Sequence, residues 1–184
     1  MMERIREALP RRKARITGVV YLLYFLTAIT AQFLIGRKLT AYGNATNLIA
    51  TGCYVILTLL FYFMFKPVNR SLSLLAALFS LAGCAVMSVG LFYPSTPISP
   101  LLFFGPYCLL IGYLIFRSRF LPRALGVLMA LAGLGWMAFL LPTLPHYLSL
   151  AIEGLGILAE ASLMLWLIVM GVNIQGWKEQ ARAV

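Results

Sequence analysis

Residues 16–35, 47–65, 71–93, 98–116, 124–142 and 147–170 form six apolar runs, separated by short links that hold most of the charge. A helix rises 1.5 Å per residue, so a run of roughly 20 residues matches the hydrocarbon core of a bilayer, about 30 Å thick. Hydrocarbon offers no hydrogen-bond partner to an open backbone, and a run at that depth must satisfy its own amides and carbonyls, which a helix does. The expectation is therefore all-α: a six-helix transmembrane bundle forming a single integral membrane domain over residues 1–184. Composition points the same way. The chain is 62% hydrophobic and 11% charged, where a soluble domain has about 45–50% apolar and about 25% charged residues.

The formal net charge of +10 does not indicate nucleic acid, because the basic residues sit in short clusters between apolar runs, where they meet anionic lipid headgroups. Membrane lipids are the expected partners, and nucleic acid is not. Arg4, Arg6, Arg11, Arg12, Lys13 and Arg15 make a basic leading segment. The run that follows exceeds the 7–15 residues of a secretory signal core and reads as a retained first span. With six spans, the N-terminus, Lys66 and Arg70, the Arg117/Arg119/Arg123 link and the C-terminal tail share one side, and only Arg37 and Lys38 take the other. The positive-inside rule then places both termini in the cytoplasm.

Local features are mostly architectural. Gly83 and Gly90 on the third run, and Gly126, Gly133 and Gly135 on the fifth, offer faces for close helix approach. Gly105-Pro106 interrupts the fourth run, where a proline removes a backbone hydrogen bond and kinks the helix. Lys66-Pro67-Val68-Asn69-Arg70 stops the second. Residues 36–46 read as a polar link, and Trp177 as an interfacial anchor in the tail. Thr27, Thr30 and Gln32 suit hydrogen bonds to backbone or a neighbouring helix. Cys53, Cys84 and Cys108 are odd in number and lack the spacing of a disulfide framework or zinc site. No metal is expected, nor any cofactor.

Two residues resist an architectural explanation. Glu153 and Glu160 are the only acidic residues away from the chain ends, and a central acidic residue costs roughly 2.5–3.5 kcal/mol on insertion. Their spacing of seven repeats back to His146, so His146, Glu153 and Glu160 trace one stripe that drifts about 20° per heptad. Gly156 lies near it. That stripe is expected to face the bundle. Three readings follow. The stripe carries protons or a small or lipophilic substrate, as intramembrane carboxylates do in carriers; six helices would then need a homo-oligomer to enclose a path. Alternatively a protonated Glu160 is the general acid of a membrane-embedded enzyme acting on a lipid or isoprenoid-like substrate, with Tyr24, Tyr54, Tyr107 and Ser80 as scattered candidate partners. Or Glu160 donates one hydrogen bond to a Ser, Thr or carbonyl and fixes helix packing in a structural membrane subunit. No nucleophile–base motif or phosphate loop identifies an enzyme.

The segments Gly112 to Trp136 (GYLIFRSRFLPRALGVLMALAGLGW), Ala159 to Asn173 (AEASLMLWLIVMGVN) and Ala14 to Phe33 (ARITGVVYLLYFLTAITAQF) resemble a bacterial integral-membrane family known as domain of unknown function 4386. Glu160 stands in that family's Glu-x-Ser-Leu-x-Leu-Trp-Leu pattern, here Glu160 to Leu167. The resemblance implies a multi-pass protein of the bacterial cytoplasmic membrane and supplies no activity.

Overall fold

The computed structural model describes residues 2–93, 95, 98–141 and 146–182. Among them are seven helices and no strand: α1 (Met2–Gly36), α2 (Thr40–Phe65), α3 (Arg70–Phe92), α4 (Leu101–Arg117), α5 (Arg123–Ala138), α6 (His146–Val169) and α7 (Ile174–Arg182). Four are long and apolar enough to cross a membrane, namely α1 from Pro10, α2, α3, and α6 from Tyr147, while α4 and α5 are shorter apolar helices. Their outward residues are apolar as well: Leu26, Ile29, Phe63, Leu78 and Ile157 are each more than half exposed. A helix apolar on all sides belongs in lipid.

Each of the first six helices packs on its neighbour in sequence, and α6 closes on α1, so the six form a ring. Among the described residues, aromatic side chains fill its interior. Phe120, Phe65, Phe61, Tyr21, Tyr24, Tyr54 and Tyr107 make a continuous column of rings with successive centroids 4.7–6.1 Å apart. The α4–α5 pair is the tightest seam. Gly105 faces Gly133 and Gly112 faces Gly126, a heptad apart on each antiparallel helix, and a Cβ on Gly112 would lie 2.7 Å from the Gly126 carbonyl oxygen. Close backbone approach of this kind replaces the hydrophobic drive that lipid cannot supply between helices. Gly83 receives the Phe104 ring, whereas Gly90 meets nothing within 4 Å.

The structure corrects the expected link over residues 36–46. Helix α2 begins at Thr40, leaving only Arg37–Leu39 between helices. Lys38 takes the left-handed conformation (φ 64°), Leu39 N–H donates to Leu34 O and Lys38 N–H to Ile35 O, the pairing of a Schellman C-cap. The polar residues of 40–46 thus form the first two turns of α2. Helix α4 is likewise continuous through Pro106. Gly105, buried against α5, lets the neighbouring helix brace the turn that proline weakens. The tail is itself a helix, α7. Asn173 caps it through Oδ1, accepting from Gln175 and Gly176 N–H at 3.1 and 3.2 Å. Gln180 fastens it to the α4–α5 link by accepting from Arg119 N–H at 3.0 Å. The expected stop at Lys66–Arg70 is present, with the Asn69 side chain accepting from Leu72 N–H at 2.9 Å.

These ties gather both chain ends and the links after α2 and α4 at one end of the ring. Pro10 and Lys13 of α1, Phe63 and Met64 of α2, and Trp177 of α7 line one small cavity there, and Asn173 N–H donates to Phe120 O. The clusters around Lys66, Arg70, Arg117, Arg119 and Arg123 therefore share an end, opposite Arg37 and Lys38.

Candidate functional site

Glu160 lies where α6 meets α1. The buried face of α6 runs through Ile152, Gly156, Ala159, Leu163 and Leu167, the 3–4 spacing of a helix seated against neighbours. Glu160 flanks that face and is half-buried. Opposite, Ala14, Thr17, Gly18 and Tyr21 form the buried face of α1, and Gly18 admits the backbone at Leu167 and Ile168. This approach brings the Tyr21 hydroxyl to 2.9 Å from Glu160 Oε2, to which it donates. Among the described residues no other side chain hydrogen-bonds the carboxyl.

From this pair a cleft of about 330 Å³ runs along the α1–α6 seam. Tyr24, Phe25, Ala28, Ile29 and Gln32 of α1 form one wall, Gly156, Ile157 and Glu160 of α6 the other. Trp136 of α5 closes the back, its ring lying over Gly156 where any side chain would collide. The exposed Ile29 and Ile157 edge its mouth, which opens sideways to the surroundings of the bundle. From Tyr24 to Gln32 the α1 wall is about 12 Å long at 1.5 Å per residue. The cleft is apolar except at Glu160, Tyr24 and Gln32. A carboxyl in such a place accepts hydrogen bonds when ionised and offers a donor when protonated, so one group can hold either partner and exchange a proton with it.

The residues singled out from sequence separate here. Glu153, one heptad before Glu160, is exposed on α6. The two glutamates therefore do not form one inward stripe, because the first turns of α6 are covered on a narrower face than its middle. The side chain of His146 lies outside the described residues. Tyr24, Tyr54 and Tyr107, expected to be scattered, are brought together beside Tyr21, with centroids 6.1 Å (Tyr21–Tyr24), 4.7 Å (Tyr24–Tyr54) and 6.0 Å (Tyr54–Tyr107) apart. Ser80 is elsewhere, its Oγ 2.6 Å from Thr58 Oγ1 between α2 and α3. Thr27 and Thr30 donate to the Leu23 and Leu26 carbonyls at 2.8 and 2.7 Å, as their architectural reading predicted. Tyr21 was not singled out. The available signal was its spacing of three from Tyr24, which puts both hydroxyls on one side of the first helix.

Residues 96–171 match the family model described as Domain of unknown function (DUF4386). That segment contains α4, α5 and α6 with Glu160, and agrees with the resemblance over Gly112 to Trp136. The opening segment with Tyr21 lies before it. An uncharacterised protein of Archaeoglobus fulgidus is 25% identical over 156 residues, spanning 79% of this chain and 94% of that protein. No solved structure matches.

Proposed function

We propose that the protein binds a small lipophilic molecule inside the membrane, in the cleft at Glu160, and couples its handling to proton exchange at that carboxyl. In this reading it is a multi-pass protein of a bacterial cytoplasmic membrane, crossing six times with both termini inside. At 17 and 16 residues, α4 and α5 reach about 24–26 Å, near the lower limit for spanning helices. The observation that carries the proposal is the placement of the only described mid-span carboxyl at the base of a laterally open apolar cleft. With the ring's axis filled by aromatic side chains, a ligand would come and go along the seam from the lipid. A cationic or hydrogen-bond-donating group on it would meet Glu160, and its apolar body would lie against Phe25, Ile29 and Trp136. Membrane lipids and further copies of the chain are the proposed partners, a second copy being one way to cover the mouth of the cleft.

Proteoliposomes carrying the parent protein are expected to take up a fluorescent lipophilic amine under an imposed pH gradient. Glu160→Gln is expected to abolish that uptake without lowering the melting temperature in detergent. Equal uptake by the two, or none by the parent, overturns the coupling.

A second reading is favoured by the Tyr21–Glu160 hydrogen bond itself, a polar tie between the first and last long helices. If closure of the ring is its whole purpose, Glu160→Gln is silent in every ligand assay and Glu160→Leu lowers stability.

A further inference from the structure

The end of the bundle that holds both termini carries a second concavity, separate from the Glu160 cleft. It is a depression of about 540 Å³ at the corner between α6 and α7, lined by Arg11 of α1, Arg119 of the α4–α5 link, Trp166 and Met170 at the end of α6, and Asn173 and Gln175. The corner is built by Gly171 in the left-handed conformation (φ 72°), and a Cβ there would lie 3.0 Å from Arg11 Cγ. The backbone thus seats the arginine stem directly.

We propose that this depression binds the phosphate headgroup of an anionic glycerophospholipid, held by Arg11 and Arg119, with Trp166 and Met170 lining the way of its acyl chains. Guanidinium groups match phosphate oxygens in charge and in planar, paired geometry. The first amides of α7 are taken by the Asn173 side chain, so the arginines are the cationic donors that line the depression. The acidic group beside them is Glu179, 3.9 Å from Arg119 with both side chains exposed. Such an exposed ion pair contributes little in water, so it does not hold Arg119 away from a phosphodiester anion. The apolar wall decides between a lipid and a free anion. Met170 is 53% exposed directly beside the arginines, at the level where the long apolar helix ends and headgroups begin. A free phosphate would use only the arginines and leave that wall bare. Ile174 and Gln175 also border an adjoining depression with Lys178, Glu179 and Arg182, which keeps the surrounding field cationic.

The experiment uses the full-length protein with Trp136 and Trp177 replaced by Phe, so that Trp166 alone reports, in nanodiscs containing brominated phosphatidylglycerol or brominated phosphatidylcholine. Half-maximal quenching is expected at a several-fold lower mole fraction of the phosphatidylglycerol. Arg11→Gln and Arg119→Gln should each erode that preference by about fivefold, and Arg119→Lys should retain most of it. Equal quenching by the two lipids in the parent overturns the site. Equal quenching together with a Trp166 emission that shifts on adding millimolar inorganic phosphate shows that the arginines take a free anion, and overturns the lipid assignment. If the Trp variants do not fold, native mass spectrometry of the parent decides instead: preferential retention of phosphatidylglycerol that Arg11→Gln abolishes supports the site, and indifference to lipid or variant refutes it.

Discussion

The Tyr21–Glu160 pair joins side chains 139 positions apart, and its two members contribute differently. Interhelical hydrogen bonds in membranes average about 0.6 kcal/mol, with a maximum near 1.7. Tyr21→Phe is therefore expected to lower stability by less than about 1 kcal/mol, read as a small drop in melting temperature in detergent, because it leaves the ring packed and the stranded carboxyl still reaches the open cleft. Glu160→Leu is expected to cost more, since it strands a hydroxyl in a residue that is only 1% exposed. Glu160 was legible in the sequence because a carboxyl in an apolar run is conspicuous on cost alone. Tyr21 was not, because tyrosine in such a run is ordinary and its partner lies at the other end of the chain. Glu153 shows the converse limit. Heptad spacing states that two residues share a side of their helix, but whether a neighbour covers that side at both depths depends on tertiary packing.

At the scale of elements, the α4–α5 hairpin depends on glycines that approach backbone. Gly112→Leu or Gly126→Val is expected to destabilise by about 1–3 kcal/mol or more, as overpacking does. Gly52→Ala, at a helical position with nothing within 4 Å, is expected to stabilise by up to about 1 kcal/mol through helix propensity. Thermal unfolding of the three variants in one detergent tests the contrast, and equal effects would refute the glycine interlock. The Schellman turn after α1 offers another test. Lys38→Gly should raise stability by roughly 1 kcal/mol, since a Cβ is strained in the left-handed region. The small residues of the fifth run were visible in the sequence, and so was the stop at Lys66–Arg70, but their partners on the fourth run were not, Gly105 reading there as part of an interruption. The early start of α2 and the continuity of α4 were not, because the polar residues of 40–46 and Pro106 argue against helix locally, while the neighbouring helices settle the matter.

At the scale of the whole molecule, the distribution of Lys and Arg makes a single testable statement about orientation. With Cys53, Cys84 and Cys108 replaced by Ala, a cysteine at Arg37 should react with an impermeant maleimide on intact cells, and one at Arg117 only after the membrane is opened; the reverse pattern would overturn the orientation. The helical class and the charge asymmetry could be read from hydropathy and short basic links. The closure of the ring could not, since contact between a first and a last run leaves no local mark.

That closure has a consequence for biogenesis. Within the ring every other seam joins helices adjacent in sequence and can form as each pair leaves the ribosome, but the seam between α1 and α6 must wait for α6. Until then the side of α1 that α6 covers, with Gly18 and the Tyr21 hydroxyl, stands open to whatever surrounds the nascent chain. The cleft at Glu160 thus comes after the other seams of the ring, and a chain halted before α6 would carry five helices and still lack the site.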